Sequence, residues 1–389
     1  MATKNDVANE LNDDLINIVS LDLGTRNLIV RVNGREVYKQ AAAIVFDTEN
    51  GEVFIGEAAL VMKEKTPANK IFREPMSNGV ISDNNALIAL LTEIFTQIVD
   101  VKGEKIWQKS VALVAIPSKV FKLDRTVLKE ILEGKKSAKI PIFSDKFPKR
   151  YLSVDRNLSH EEKLALTYSM NAEKVVIVPE VKLAAIGAGL SLWDASGVFV
   201  LDIGGGTSDC AILSSGEVIV QDSIPVAGNA IEAGIKAHFE KMHYMTLSSE
   251  EAEKAKMGAG IWIDGDKDSE HRLTIHGKST KTKKPEQIII SKQEVAKAVT
   301  EAFEPIVKLC EDIIDKAGAA FSKMIMDKGL VITGGGALLQ NITTYLKKRL
   351  NMEHVVSANS PKECVIKGTQ SYETHKKDLY TNGYIRPSK

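Results

Sequence analysis

The sequence predicts an α/β protein made of two related halves. Two observations carry the prediction. The text Leu21-Asp22-Leu23-Gly24 returns 180 residues later as Leu201-Asp202-Ile203-Gly204, each time between two short apolar runs of strand length. Around these copies, further short apolar runs alternate with longer segments of helical period, the pattern of mixed sheets covered by helices. With 389 residues, 44% of them hydrophobic, the chain is long enough for two separate cores. The natural arrangement is two lobes, with both Asp–Gly turns facing one cleft.

The elements follow in order. Ile16–Leu21 runs into Asp22-Leu23-Gly24-Thr25, and Leu28–Val32 closes at Asn33-Gly34, a dipeptide that favours a tight hairpin turn. Runs near Glu36–Tyr38 and Ala43–Phe46 extend a meander. Asn84–Asp100 has the apolar spacing of an amphipathic helix, and Val111–Ile116 is a wholly apolar strand stopped by Pro117. Val175–Val178 is another buried strand, and the small residues of Ala184–Leu190 suit close helix packing. In the second half, Val198–Leu201 and Cys210–Leu213 are joined through Asp202-Ile203-Gly204-Gly205-Gly206-Thr207, and Ser215-Gly216 turns into a third strand. A long helix follows from about Asn229. Ser291 and Glu294 form a capping box that opens a helix of roughly twenty residues. Gly329–Thr333 is a last buried strand, ending in Gly334-Gly335-Gly336 and a helix from Ala337.

Two segments break this rhythm. Residues 118–158 hold eleven Lys or Arg against five Asp or Glu, interleaved with Phe121, Phe143, Phe147 and Tyr151, and read as an insertion. Gly277–Pro285 reads as a solvated basic loop.

Charge and composition exclude several classes. Basic and acidic residues balance at 51 each, against a dedicated nucleic-acid binder. No apolar run approaches the ~20 residues that cross a bilayer, and the N-terminus lacks the apolar stretch of a secretory signal. Cys210, Cys310 and Cys364 lie far apart, with neither metal nor redox spacing. The chain therefore reads as reduced and cytoplasmic.

The glycine turns carry the candidate chemistry. Backbone N–H groups converging on an anion bind phosphate, and glycine lets the chain approach closely. Gly24-Thr25 offers one such turn and Gly204-Gly205-Gly206-Thr207 a second; singly, each is equally an ordinary hairpin turn. As a pair they can grip a polyphosphate from both sides, with Asp22 and Asp202 holding a hydrated Mg2+. Gly334-Gly335-Gly336 is either a tight packing turn or a gap for a base or ribose. No Gly-x-x-x-x-Gly-Lys-Ser/Thr occurs, and no Gly-x-Gly-x-x-Gly opens a βαβ unit.

Taken together, Ser20–Thr25, Arg73-Glu-Pro-Met-Ser-Asn-Gly-Val-Ile-Ser-Asp83, Ala184–Gly189, Asp202–Thr207 and Thr333–Leu339 resemble the MreB family of bacterial actins, within the actin/sugar-kinase/heat-shock-chaperone ATPases. The resemblance spans roughly 15–375 apart from the 118–158 insertion. It implies a duplicated RNase H-like, actin-like fold of two lobes and four subdomains. These would be IA (15–46, 82–196 and 361–380), IB (47–81), IIA (197–226 and 290–360) and IIB (227–289), with an extension at 1–14 and a tail at 381–389. It implies Mg-ATP in the interlobe cleft, with Asp22 and Asp202 as the acids of the two phosphate loops. Glu180 would position the attacking water and Thr207 help orient it, a chemistry that rests on positioning and charge neutralisation. Nucleotide contacts would come from Gly24, Thr25, Arg26, Asn27, Gly204, Gly205, Gly206, Thr207, Gly228, Glu251, Lys254, Gly334, Gly335, Gly336 and Ala337.

Departures from the family pattern accompany it. Pro179-Glu180-Val181-Lys182 replaces Glu-Glu-Pro-Met, Arg26 and Leu28 replace a small residue and Thr, and Asn229 replaces an acid. Hydrolysis is therefore expected to be slow. The resemblance further implies polar protofilaments, often paired antiparallel, formed by heterologous contacts at the inner membrane surface. Ile106-Trp107 falls where such proteins expose a membrane-inserting pair, although Trp107 could equally pack beneath the adjacent strand. The basic insertion could attract anionic lipid, and could equally be a solvated loop or a docking site for another protein. A monomeric chaperone- or kinase-like ATPase and a plasmid-segregating actin share the fold; the Arg73–Asp83 text argues against both.

Overall fold

The computed structural model describes residues 16–102, 110–118, 122–133, 172–192, 197–266 and 270–374. The extension at 1–14, Ile106-Trp107, the part of the insertion beyond 133 and the tail at 381–389 lie outside the described residues. The chain forms two compact units. The first comprises Met1–Ile116, Val120–Pro179 and Ile366–Lys389, and the second Pro117–Lys119 and Glu180–Val365.

In the first unit, β1 (Asn17–Leu23), β2 (Asn27–Val32) and β3 (Arg35–Ala41) form an antiparallel meander. The turn between β2 and β3 holds Asn33 at φ 48° and Gly34 at φ 77°, the left-handed pair that such a hairpin needs. β4 (Ile44–Asp47) leaves the meander and pairs instead with β5 (Val53–Ile55) and β6 (Lys70–Arg73). β7 (Met76–Ser77) and β8 (Val80–Ile81) form a small hairpin. Helix α1 (Asn84–Lys102) leads to β9 (Ser110–Ile116), whose seven residues are all buried, as a central strand requires. The main sheet reads β10-β9-β1-β2-β3, with β10 (Lys174–Pro179) and β9 parallel to β1.

Of the segment expected as an insertion, residues 122–132 form a helix. Helix α2 (Lys122–Leu132) turns Leu128, Ile131 and Leu132 into the same core as Ala112 and Val114, so this helix packs into the body of the first unit. Those apolar residues recur at helical spacing, a signal that the charge surplus of the segment obscured.

The second unit repeats the plan. β11 (Val198–Ile203), β12 (Ser208–Ser214) and β13 (Glu217–Ile224) form the meander, and β17 (Leu330–Thr333) and β18 (Val355–Ser357) extend it in parallel, giving β13-β12-β11-β17-β18. Helix α3 (Glu180–Gly187) packs on β11 and β12. Between the meander and β17 come α4 (Gly228–His243), α5 (Ser249–Ala259) and a small sheet of β14 (Met245–Thr246), β15 (Arg272–Ser279) and β16 (Pro285–Ser291). Helix α6 (Lys292–Ala317) follows, with the Ser291 hydroxyl accepting from the Glu294 N–H.

Two expectations change here. The basic segment 277–285 is not a free loop but the end of β15, a turn and the start of β16. Its Lys281 ammonium lies 3.3 Å from the centre of the Tyr244 ring, which offsets exposure of the apolar face. The helix after the glycine run begins later than Ala337: Gly335–Leu338 is a single 3-10 turn, and α7 spans Ile342–Arg349. Gly334, at φ 77°, and Leu339, in extended backbone, break helical continuity on either side of that turn.

Candidate functional site

The duplication is visible residue by residue. Asp22 and Asp202 are each the next-to-last residue of the first strand of their meander, and Gly24 and Gly204 each follow that strand. Asp22 stands opposite Ile29 on β2 and Ala115 on β9. At the corresponding register Asp202 stands opposite Asp209 on β12 and Thr333 on β17. The second unit is therefore polar where the first is apolar.

In the first unit, Gly24–Arg26 is the bend between β1 and β2. A Cβ on Gly24 would lie 2.7 Å from the Asn27 carbonyl oxygen, so only glycine fits without moving the chain. The Thr25 hydroxyl accepts a hydrogen bond from the Gly79 N–H at 3.1 Å. Gly79 and Asn78, at φ 74° and 49°, form the turn of the β7–β8 hairpin. The Arg73–Asp83 text thus folds over the first bend, its ends drawn together by an Arg73–Asp83 ion pair at 3.5 Å. Asp22, Gly24, Thr25 and Arg26 are half-buried and Asn27 is exposed.

In the second unit, the Gly204–Thr207 bend is closed by the Gly204 N–H on the Thr207 carbonyl at 2.9 Å. The N-terminus of α4 is tied to it: the Gly228 N–H donates to the Gly204 carbonyl and the Asn229 N–H to that of Gly205. The Asp202 side chain is 5% exposed and accepts from the Thr333 hydroxyl at 2.6 Å. Desolvation pushes its carboxyl up to about 6, against that hydrogen bond and with the help of the nearby Asp209 charge.

Gly334 and Gly336 complete this corner by packing. A Cβ on either would come within 2.3 Å of Ile203, of its carbonyl oxygen and its side chain respectively, whereas Gly335 is nearly open. Close approach to β11 by itself requires glycine at two of the three positions. Ala337 is buried beside them. Asp202, Gly204–Thr207, Gly228 and Gly334–Ala337 therefore share the carboxyl ends of the parallel strands β11 and β17, the place where open α/β sheets bind ligands.

The remaining candidates are placed differently. Glu180 opens α3 directly after Pro179 and is buried, not a surface residue at a strand end. Lys182, two residues on, is half-buried. Glu251 and Lys254 do not pair with each other. Glu251 accepts from the His276 N–H at 2.7 Å, and Lys254 pairs with Glu250 at 2.6 Å on an exposed face. They nevertheless line one cavity, with Ala255, Leu273, Thr274, Ile275 and His276.

Sequence reasoning missed two groups here. Asp209 is 1% exposed, accepts from the Ser118 N–H at 2.8 Å and from the Thr207 hydroxyl, and burial raises its carboxyl. Lys256 and Glu232 form a buried ion pair at 2.5 Å, and a Cβ on Gly228 would lie 3.4 Å from the Lys256 ammonium. Asp209 could have been found, because an acid inside an apolar strand opposite Asp202 contradicts the strand's pattern. The Lys256–Glu232 pair spans two helices and left no local signal.

The family model for the MreB/Mbl protein matches residues 16–148 and 146–381. The chain belongs to the MreB/Mbl family. This MreB/Mbl member is similar to the cell shape-determining proteins Mbl of Bacillus subtilis, at 27% identity over 90% of this chain and 94% of that one, and MreB of Escherichia coli, at 25% over 94% and 96%. Among solved structures it resembles MreB5 of Spiroplasma citri bound to ADP, with TM-score 0.77, 28% identity and coverage of 94% and 99%. A MamK double helical filament, at 15% identity and TM-score 0.69, shows the fold alone. The fold of this MreB/Mbl member is actin-like.

Proposed function

We propose that this bacterial actin binds an adenine nucleotide, assembles into filaments and serves cell shape. The observation that carries the reading is the repeated Asp–Gly bend: each copy ends the first strand of its own meander, in a chain of the MreB/Mbl family. The relative from Spiroplasma citri binds ADP and AMPPNP, which supports the nucleotide class. Gly24, Thr25, Arg26 and Asn27 contribute from one bend. Gly204–Thr207, Gly228 and Gly334–Ala337 contribute from the other, with Glu251 and Lys254 toward the nucleoside.

Asp202 fits a hard cation, because it is a buried oxygen ligand with a second carboxylate beside it and Thr333 as a neutral donor. Asp22 and Asp202 would hold Mg2+, through water, and the ion would supply charge neutralisation to the phosphates. Buried Glu180 positions the attacking water, and the Thr207 hydroxyl, bonded to Asp209, assists its orientation. Hydrolysis is slow, with Lys182 placing positive charge close in sequence to Glu180. Filaments are polar and paired antiparallel, and they touch the membrane through Ile106, Trp107 and the basic residues of 118–158. Sedimentation with phosphate release tests this. Polymer should pellet with Mg-ATP and not without nucleotide, and Glu180→Ala should lower phosphate release at least tenfold while ATP still binds. Absence of polymer in every nucleotide state returns the chain to the monomeric ATPases.

A further inference from the structure

Helix α4 ends in two histidines that meet a glutamate from α6. His238 Nε2 lies 3.0 Å and His243 Nε2 2.7 Å from one carboxylate oxygen, Oε1 of Glu294. Among the described residues, this is the grouping of three His, Cys, Asp or Glu side chains whose ligand atoms come within reach of a single ion. We propose that His238, His243 and Glu294 bind a borderline divalent transition metal, Zn2+ above all, as a staple between α4 and α6.

Donor chemistry, spacing and access agree. Two imidazoles and one carboxylate are a ligand set that Zn2+ accepts, with water as the fourth ligand. Tetrahedral bonds of about 2.0–2.1 Å place ligand atoms about 3.3 Å apart, so the observed 2.7 and 3.0 Å must open by only a few tenths of an ångström. The side chains are 23%, 26% and 37% exposed, which leaves an entry path and room for water. Phe239, fully buried between the histidines in sequence, contacts both rings, at 5.9 Å edge-on and 5.3 Å tilted, and fixes them before any ion arrives. The C-terminus of α4, capped by Tyr244 in the left-handed conformation, adds the partial negative charge that favours a cation. Glu294 is held in the first turn of α6 by its N–H bond to Ser291. The site stands toward the opposite end of α4 from Gly228, about 15 Å away at His238 and about 22 Å at His243 by helix rise.

The test is isothermal titration of the full chain, free of any polyhistidine tag, with ZnCl2, followed by Co2+ absorption. The wild type should take one Zn2+ at micromolar affinity or better, and Co2+ should give the visible bands of a tetrahedral site. His243→Ala and Glu294→Gln should each weaken Zn2+ binding at least tenfold and remove a metal-dependent rise in melting temperature. His243→Gln, with the metal-free melting curve, shows whether helix packing survives substitution. Wild-type Zn2+ affinity in Glu294→Gln, or equal binding by the wild type and a His238→Ala/His243→Ala double variant, overturns the proposal. The three groups are then a hydrogen-bonded clasp alone.

Discussion

At the scale of single residues, Asp202 shows the conflict between folding and function most clearly. Its carboxyl is buried and pushed up to about 6, so the folded state keeps its proton to a higher pH than the unfolded state does. Stability therefore falls as pH rises from about 4 to about 6, and above that the folded chain carries a buried charge at a cost of roughly 2–3 kcal/mol. Asp202→Asn keeps an acceptor for Thr333 and removes the charge. In the nucleotide-free chain this variant should melt several degrees above the wild type at pH 8, with the gap narrowing toward pH 5, in a fluorimetric melt. It should lose Mg-ATP binding at the same time. Equal melting temperatures at pH 8 would show that the carboxylate is not the desolvated group its surroundings imply. Asp22 is only half-buried, which distinguishes the two acids despite their matching positions.

At the scale of elements, the small-residue text Ala184–Leu190 was legible as close packing, and the structure gives the distance. A Cβ on Gly187, the last residue of α3, would stand 1.8 Å from the Cys364 carbonyl oxygen. Backbone must move to admit it, so Gly187→Ala should destabilise the chain by about 2 kcal/mol or more. Gly189 is open on all sides but sits at φ 82°, so Gly189→Ala should cost only about 1–2 kcal/mol, from conformation alone. Denaturant titration of both variants separates the effects, and an unchanged midpoint for Gly187→Ala would contradict the packing. The hairpins were legible for a similar local reason: Asn33-Gly34 and Ser215-Gly216 adopt the left-handed pairs that their turns require. Helix α2 was not, because its charged face dominates composition while three apolar residues decide its burial.

At the scale of the whole molecule, family membership frames a surface question as well. The basic residues beyond 133 carry much of the local positive surplus, and each Lys or Arg near an anionic bilayer contributes about 1 kcal/mol. Co-sedimentation with anionic vesicles should exceed that with neutral ones, and Trp107→Ala should reduce it; equal pelleting with both vesicle types would refute the electrostatic attraction. Among the described residues no helix is long and apolar enough to cross a membrane. By itself the sequence determined the duplicated meander, the two aspartates with their glycine bends, and the MreB resemblance. Those features are written in contiguous residues, where turn chemistry and strand alternation act locally. Only tertiary structure decided that Gly334 and Gly336 serve Ile203, that Asp209 and Thr333 flank Asp202, and that Glu294 meets two histidines. Each of those depends on which strands and helices become neighbours, and burial of the core as a whole selects that pairing.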